Sequence, residues 1–224
     1  TPEIPQAIPT QECPEPTPCP ELPETIDAPF EEIWRESPHA DKESEAFRHW
    51  DEEDPMEVPV ACATCHSSTG FLDFVGADGS EMFVVDANAS VDTVIDCQTC
   101  HNDATAAIST VKFPSGVELT ELGSEAVCMT CHQGRASKVQ VDDAITVAGV
   151  GDDEVSADLG FINIHYYAAA VSRYGTEVKG GYEYEGMTYD TLFEHVEGVE
   201  TCFDCHNPHS LELELETCAG CHEA

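Results

Sequence analysis

Five copies of the pattern Cys-x-x-Cys-His are the feature of this chain whose residue types and spacing predict a definite chemistry. They occupy residues 62–66, 97–101, 128–132, 202–206 and 218–222. Chance would place only about 0.03 copies in a chain of this composition, and the pattern is the attachment signature of a c-type haem. The two thiols form thioethers to the porphyrin, and the adjacent histidine binds the iron as the proximal ligand. We therefore expect five haem c groups as cofactors.

The alternative interpretation of paired cysteines is a zinc ribbon, in which the pairs supply thiolates to one metal ion. A zinc site gives no reason for a histidine directly after every second cysteine, so we favour haem. The cysteines expected to bind haem are Cys62, Cys65, Cys97, Cys100, Cys128, Cys131, Cys202, Cys205, Cys218 and Cys221. The expected proximal histidines are His66, His101, His132, His206 and His222.

The histidines outside the motifs match the number of second axial ligands that five haems need. The chain has ten histidines, and those outside the motifs are His39, His49, His165, His195 and His209. Methionine is the competing ligand, but Met129 lies inside a motif, and the other three methionines are expected to pack against porphyrin or core. We expect ligation by two histidines at every iron, which implies low potentials and no open coordination position. No residue is predicted to be catalytic.

Positioning five large apolar groups requires little regular secondary structure. We expect residues 30–224 to form a mostly irregular multihaem cytochrome fold, with short helices and a few short hairpins wrapped around a chain of five haems. The Asn-Pro between His206 and His209 stops any helix, because proline lacks the backbone N–H and clashes with the preceding turn. His209 should therefore serve a neighbouring haem rather than the haem of its own motif.

Sequence patterns also predict individual elements between the motifs. Helices are predicted over residues 37–50, where Ser37-Pro38 is a start signal, and over residues 161–170 and 189–196. Hairpins are predicted over residues 71–86 and 111–122, and alternating leucines predict a strand over residues 211–216.

The net charge of −37, from 45 acidic and 8 basic residues, limits the partners that this chain can bind. Nucleic acids and anionic membrane surfaces require clusters of lysine and arginine, so neither is expected. No stretch of 18 apolar residues is present, and no membrane span is expected. Since haem attachment to this motif takes place outside the cytoplasmic membrane, we expect an extracellular or cell-surface protein, with the periplasm as the alternative. No signal peptide precedes Thr1, so we expect the mature form.

Residues 1–29 read as a Pro-rich acidic tail, which we expect to contact a neighbouring subunit. Cys13 and Cys19 lie there outside any haem motif; an intra-tail disulfide is the plain interpretation, and an interchain bond is the alternative. Asn88-Ala-Ser90 is a possible glycosylation acceptor.

Residues 37–222 resemble multihaem c-type cytochromes, through Ser37-Pro-His39-Ala, Phe47-Arg-His49-Trp50, Ile162-Asn-Ile-His165-Tyr166 and Cys205-His206-Asn-Pro-His209. The resemblance implies that the non-motif histidines are distal ligands. More narrowly, the chain resembles small extracellular cytochromes that polymerise into filaments, or nanowires, in metal-reducing bacteria and some archaea. In those proteins an N-terminal histidine of one subunit completes a terminal haem of the next, a part that would fall to His39 or His49.

Three functions follow as hypotheses. The first is long-range electron transfer as the subunit of an extracellular filament, exchanging electrons with redox partner proteins or extracellular acceptors. The second is a monomeric periplasmic shuttle, or a subunit of a complex, with the same haem chemistry. The third is a multihaem reductase, which would need an iron with an open position; nitrite reductases of this kind usually have lysine in place of a motif histidine, and no motif here does.

Overall fold

The computed structural model describes residues 28–223, in which short helices alternate with irregular segments. The predicted tail therefore lies almost entirely outside the described residues, as do Cys13 and Cys19. The α-helices within the described residues are α1 (Glu31–Arg35), α2 (Glu45–Arg48), α3 (Val60–His66), α4 (Ser68–Phe74), α5 (Cys97–Cys100), α6 (Asp103–Ala106), α7 (Glu125–His132), α8 (Lys138–Ala148), α9 (Ala169–Tyr174), α10 (Cys202–Cys205) and α11 (Leu215–Ala219).

Strands within the same residues form two small antiparallel pairs. β1 (Glu57–Val58) pairs with β2 (Ala89–Ser90), and β3 (Val111–Lys112) pairs with β4 (Glu118–Leu119). Two 3₁₀ helices, Pro38–Ala40 and Gly175–Val178, complete the regular structure of this part of the chain. Short helices and a few short strand pairs agree with the architecture predicted from the sequence.

Four of the five motifs place both cysteines within one short helix, namely α3, α5, α7 and α10, and the fifth begins in α11. Residues three apart lie on the same face of a helix, so one turn presents both thiols to the same side. Two of these turns have polar caps; in the second motif the Asp96 carboxylate accepts a hydrogen bond from the Thr99 N–H at 3.0 Å. Polar caps therefore support the turns of the second and fourth motifs, at Asp96 and Thr201.

The buried core is small and lies in two clusters. The larger one surrounds Phe71, Phe113 and Met129 with residues from α4, α7, α9 and the β3–β4 hairpin. The smaller one joins Val58, Ala63 and Ala89 beneath the first motif. Gly70 allows α4 to pack on α3, because a Cβ there would lie 2.5 Å from the Ala63 carbonyl oxygen. The first motif is thus positioned by close packing of two short helices.

The structure corrects the prediction of one helix over residues 37–50. The 3₁₀ helix Pro38–Ala40 and α2 are separate, and Asp41 between them has an extended backbone (ψ 93°). The His39 carbonyl accepts a hydrogen bond from the Ile95 N–H at 3.1 Å, so it is not used in a helical ladder. Ser44 then caps α2 by accepting from the Ala46 N–H. His39 and His49 consequently lie on different elements.

The predicted hairpin over residues 71–86 is also wrong, because α4 occupies its first half. Ser67 caps this helix, and Phe71 and Val75, one turn apart, are both buried. Packing against the larger core therefore overrides the strand-like pattern. The second predicted hairpin is confirmed: β3 and β4 flank the turn at residues 114–116, where the Phe113 N–H donates to the Val117 carbonyl at 2.8 Å.

Three further element predictions fail between residues 161 and 216. Helix α9 begins only at Ala169, because His165 and Tyr167 have positive φ angles of 110° and 52°, which a helix does not allow. No helix forms over residues 189–196. The predicted strand at residues 211–216 is reduced to one bridge between His206 and Leu213, and α11 begins at Leu215.

Candidate haem-binding site

Four of the five motif histidines face a histidine from outside the motifs. The ring centroids lie 5.7 to 6.4 Å apart. The pairs are His66 with His165, His101 with His209, His132 with His39, and His222 with His195. Each pair combines one predicted proximal and one predicted distal ligand, although the sequence could not indicate the partners.

The separation of the rings fits one metal ion between each pair. A histidine nitrogen binds a metal at about 2.0 Å, so two imidazoles on opposite sides of one ion have centroids roughly 6 Å apart. The planes are parallel within 8° for His101 and His209 and within 7° for His195 and His222. The Nε2 atoms of His66 and His165 are 3.5 Å apart. Two nitrogen–metal bonds in line would span about 4 Å, which is slightly more.

Hydrogen bonds at the other ring nitrogen set the tautomer of three motif histidines. Nδ1 of His66 donates to the Ala46 carbonyl at 2.7 Å, that of His132 to the Tyr167 carbonyl at 2.8 Å, and that of His206 to the Leu211 carbonyl at 2.9 Å. A carbonyl can only accept, so the proton is on Nδ1 and the lone pair is on Nε2. This is the arrangement by which a second hydrogen bond orients a histidine for metal binding.

Burial favours the neutral form of three of the paired histidines, namely His39, His66 and His165. Desolvation and then the His132 ring lower the pKa of His39 to about 4. Burial likewise lowers the pKa of His66 and of His165 below the ordinary value. A neutral ring has a free nitrogen lone pair, so these side chains are in the protonation state that metal binding needs.

Motif thiols from different helices lie close together. The Cys65 Sγ lies 3.9 Å from the Thr130 carbonyl, and the Cys131 Sγ lies 3.6 Å from the Thr64 carbonyl, so the first and third motifs adjoin. A hydrogen bond with Cys65 and then burial raise the pKa of Cys131. A hydrogen bond with Cys202 and then burial raise the pKa of Cys128. The third motif therefore lies between the first and the fourth.

A buried ion pair, which the sequence did not reveal, joins the third and fourth motifs. Glu125, in the first turn of α7, is 5% exposed and accepts a hydrogen bond from Arg173 Nη1 at 2.7 Å. The same carboxylate oxygen accepts from the Cys202 N–H at 3.3 Å. Arg173 also donates to the Glu200 carbonyl. A lone glutamate in the sequence gives no signal for this role, because the contact spans 48 residues.

His206 and His49 are the two histidines that face no other histidine, and all ten lie within residues 28–223. His206 is exposed, and its ring contacts the Leu211 carbonyl described above. His49 is also exposed, and its Nδ1 lies 2.8 Å from Glu45 Oε1. One motif histidine and one non-motif histidine are thus left over.

Asn88, the possible glycosylation acceptor, has a structural role at the start of the first motif's helix. Asn88 is exposed; its side-chain oxygen accepts from the Val60 N–H at 3.2 Å, and its amide donates to Glu57 at 3.1 Å. It therefore anchors the start of α3.

Within residues 28–223, no group of three or more His, Cys, Asp or Glu side chains is arranged to hold a metal ion. No helix in this range is long and apolar enough to cross a membrane.

The repeated motifs and the facing histidines are features of multihaem c-type cytochromes, and comparisons with known proteins support this class. The family model for cytochrome c7 and related cytochrome c matches residues 45–133, which contain three of the five motifs. The chain is 27% identical over 222 residues to the C-type polyheme cytochrome OmcB of Geobacter sulfurreducens, in strains DL-1/KN400 and PCA.

The similarity to OmcB covers 72% of this chain but only 28% of the relative. The chain therefore spans less than a third of the length of the curated relatives that it matches. No solved structure matches the chain.

Proposed function

We propose that this chain is an electron-transfer subunit with five haem c groups, each held by one motif and by two histidines. The ten motif cysteines form the thioether bonds, and the five motif histidines are the proximal ligands. The bound haems supply one-electron redox chemistry at iron. The protein contributes the ligands, their tautomers, and the low-dielectric surroundings that set the potentials.

The observation that carries the proposal is the pairing of eight of the ten histidines, each pair at a spacing that suits one metal ion. Four haems would be completed within the chain by His165, His209, His39 and His195. Histidine on both sides of an iron leaves no position for a substrate, and this favours electron transfer over catalysis.

The two remaining histidines support assembly of the chain into a polymer. His39 faces His132, so His49 is the N-terminal histidine available to another subunit. We propose that His49 of one copy completes the haem held by His206 of the next copy. A contact between two different surfaces of identical subunits is heterologous, and it generates a filament when the rotation does not close.

The proposed electron path inside one subunit follows the contacts between motifs. The thiols of the first and third motifs adjoin, as do those of the third and fourth. The Asn-Pro segment between His206 and His209 joins the fourth motif to the ligand pair of the second. The remaining parts of the proposal are the tail of residues 1–29 as a contact to a neighbouring subunit and an extracellular or cell-surface location.

The lack of a histidine facing His206 within the chain also supports a second candidate function. If no other subunit supplies a ligand, the iron held by His206 keeps an open position, and a monomeric shuttle or a reductase becomes the better description. The two candidates therefore differ at this one iron.

Electron microscopy and absorption spectroscopy of the native haem-loaded protein test the proposal. We expect regular filaments with only low-spin haem. His49→Ala should give single particles with one high-spin haem, and added imidazole should restore the low-spin spectrum without restoring the filament. His39→Ala is the matched control: it removes a ligand within the chain, so one haem becomes high-spin while filaments persist. Single wild-type particles that bind cyanide would support the second candidate instead.

A further inference from the structure

One tryptophan lies between the leftover His49 and the first ligand pair. The Trp50 ring is 4.9 Å from the His49 ring, at an interplanar angle of 79°, and 5.3 Å from the His66 ring, at 64°. Edge-to-face contacts at these distances are favourable aromatic interactions. The His66 ring in turn lies 5.7 Å from the His165 ring. An aromatic path with steps below 6 Å therefore leads from the exposed His49 to the first motif.

Helix α2 contacts both ends of this path. The Glu45 carboxylate contacts His49 Nδ1 at 2.8 Å, and the Ala46 carbonyl accepts from His66 Nδ1 at 2.7 Å. Glu45 and Ala46 are adjacent in α2, and each contacts Nδ1 of one imidazole. Neither contact uses the Nε2 atom of the ring. Trp50 itself packs on the core cluster of Val58, Ala63 and Ala89. The three rings therefore all lie against α2 and the smaller core cluster.

We propose that Trp50 is the aromatic bridge for electron transfer between subunits, coupling His49, as ligand of the neighbouring subunit's haem, to His66. This inference rests on the proposed function. Tunnelling falls exponentially with the gap between conjugated groups, so a ring that fills the space between two axial ligands raises the transfer rate. Trp50 is neither oxidised nor reduced: the electron leaves one ferrous iron and reduces one ferric iron.

The other tryptophan of the chain provides a control. Trp34 in α1 is also half-buried, and its Nε1 donates to the Ile95 carbonyl at 2.9 Å. Its ring forms no aromatic contact with a histidine among the described residues. Replacing Trp34 also removes a half-buried indole ring, but it does not interrupt the path.

The test compares Trp50→Phe, Trp50→Met and Trp34→Met in the haem-loaded full chain. Phenylalanine and methionine have similar volumes, but only phenylalanine has a ring. Three readouts are compared among the variants. They are the conductance along single assembled filaments, the filament repeat in electron micrographs, and the absorption spectrum of the low-spin haems. We expect unchanged repeats and spectra, a several-fold lower conductance for Trp50→Met than for Trp50→Phe, and wild-type conductance for Trp34→Met.

Equal conductance of the two Trp50 variants would overturn the bridge while leaving the filament intact. If both Trp50 variants fail to assemble while Trp34→Met assembles, Trp50 is a packing residue and the bridge is also overturned. If the wild-type protein itself forms no filament, the proposed polymer fails and the bridge fails with it.

Discussion

The guanidinium of Arg173 in α9 is 2.7 Å from the carboxylate of Glu125 in α7, and this carboxylate also caps the first turn of α10. The side chains are 22% and 7% exposed, respectively. Two haem motifs that lie far apart in the sequence are thus tied to one buried charge pair. Because a buried charge without its partner is costly, the pair makes the relative position of these motifs sensitive to single substitutions.

Arg173→Met should lower the free energy of unfolding by about 3–5 kcal/mol, since it leaves the Glu125 charge buried and uncompensated. Thermal unfolding of the haem-loaded protein, followed by circular dichroism, measures the change. Arg35→Met is the control, because the Arg35–Glu31 pair is exposed and such pairs contribute about 0–1 kcal/mol. Equal stability of the two variants would show that the buried pair has no structural role.

Gly70→Ala should destabilise the protein by about 1–3 kcal/mol through overpacking. The new Cβ would lie 2.5 Å from the Ala63 carbonyl oxygen and 2.6 Å from the Ala63 Cβ, so α4 must shift away from α3. Gly151→Ala is the matched control, because a Cβ at Gly151 has no heavy atom within 4 Å. Thermal unfolding distinguishes the two, and a Gly70→Ala variant as stable as Gly151→Ala would contradict the close packing.

Replacing Cys97 and Cys100 together with alanine should remove one covalent haem, because these thiols alone serve the second motif. Intact-protein mass spectrometry should then find four haems rather than five. Replacing Cys13 and Cys19 together is the control, since neither belongs to a motif, and should leave five. Four haems in the wild-type protein would disprove the proposed count.

His165→Met should raise the reduction potential of one haem, because a thioether ligand stabilises ferrous iron more than imidazole does. His165 faces His66, so the affected haem is expected to be that of the first motif. Protein-film voltammetry measures the potentials, and magnetic circular dichroism identifies the new ligand. An unchanged set of potentials would exclude His165 as a ligand, whereas the same substitution at the exposed Tyr166 should leave all potentials in place.

The close approach of the two cysteines in each motif could be predicted because it is local. Cys-x-x-Cys spacing needs only one helical turn to bring two thiols together, and caps such as Asp96 and Thr201 lie next to the motif. The helix over residues 161–170 could not be predicted correctly. Backbone carbonyls of this segment bind distant residues instead of forming a helical ladder. The Ile164 carbonyl accepts from the Arg135 N–H, and the Tyr167 carbonyl accepts from His132.

The sequence by itself determined the chemistry: five motifs, ten histidines and a strongly acidic chain define the cofactor class without any knowledge of the fold. Only the tertiary structure decided which histidines face each other, because the partners are far apart along the chain; His66 and His165 are separated by 99 residues. The tertiary structure also leaves His49 and His206 facing no other histidine within residues 28–223. Which histidines face each other depends on where irregular segments pack, and such segments have no sequence period from which their positions could be predicted.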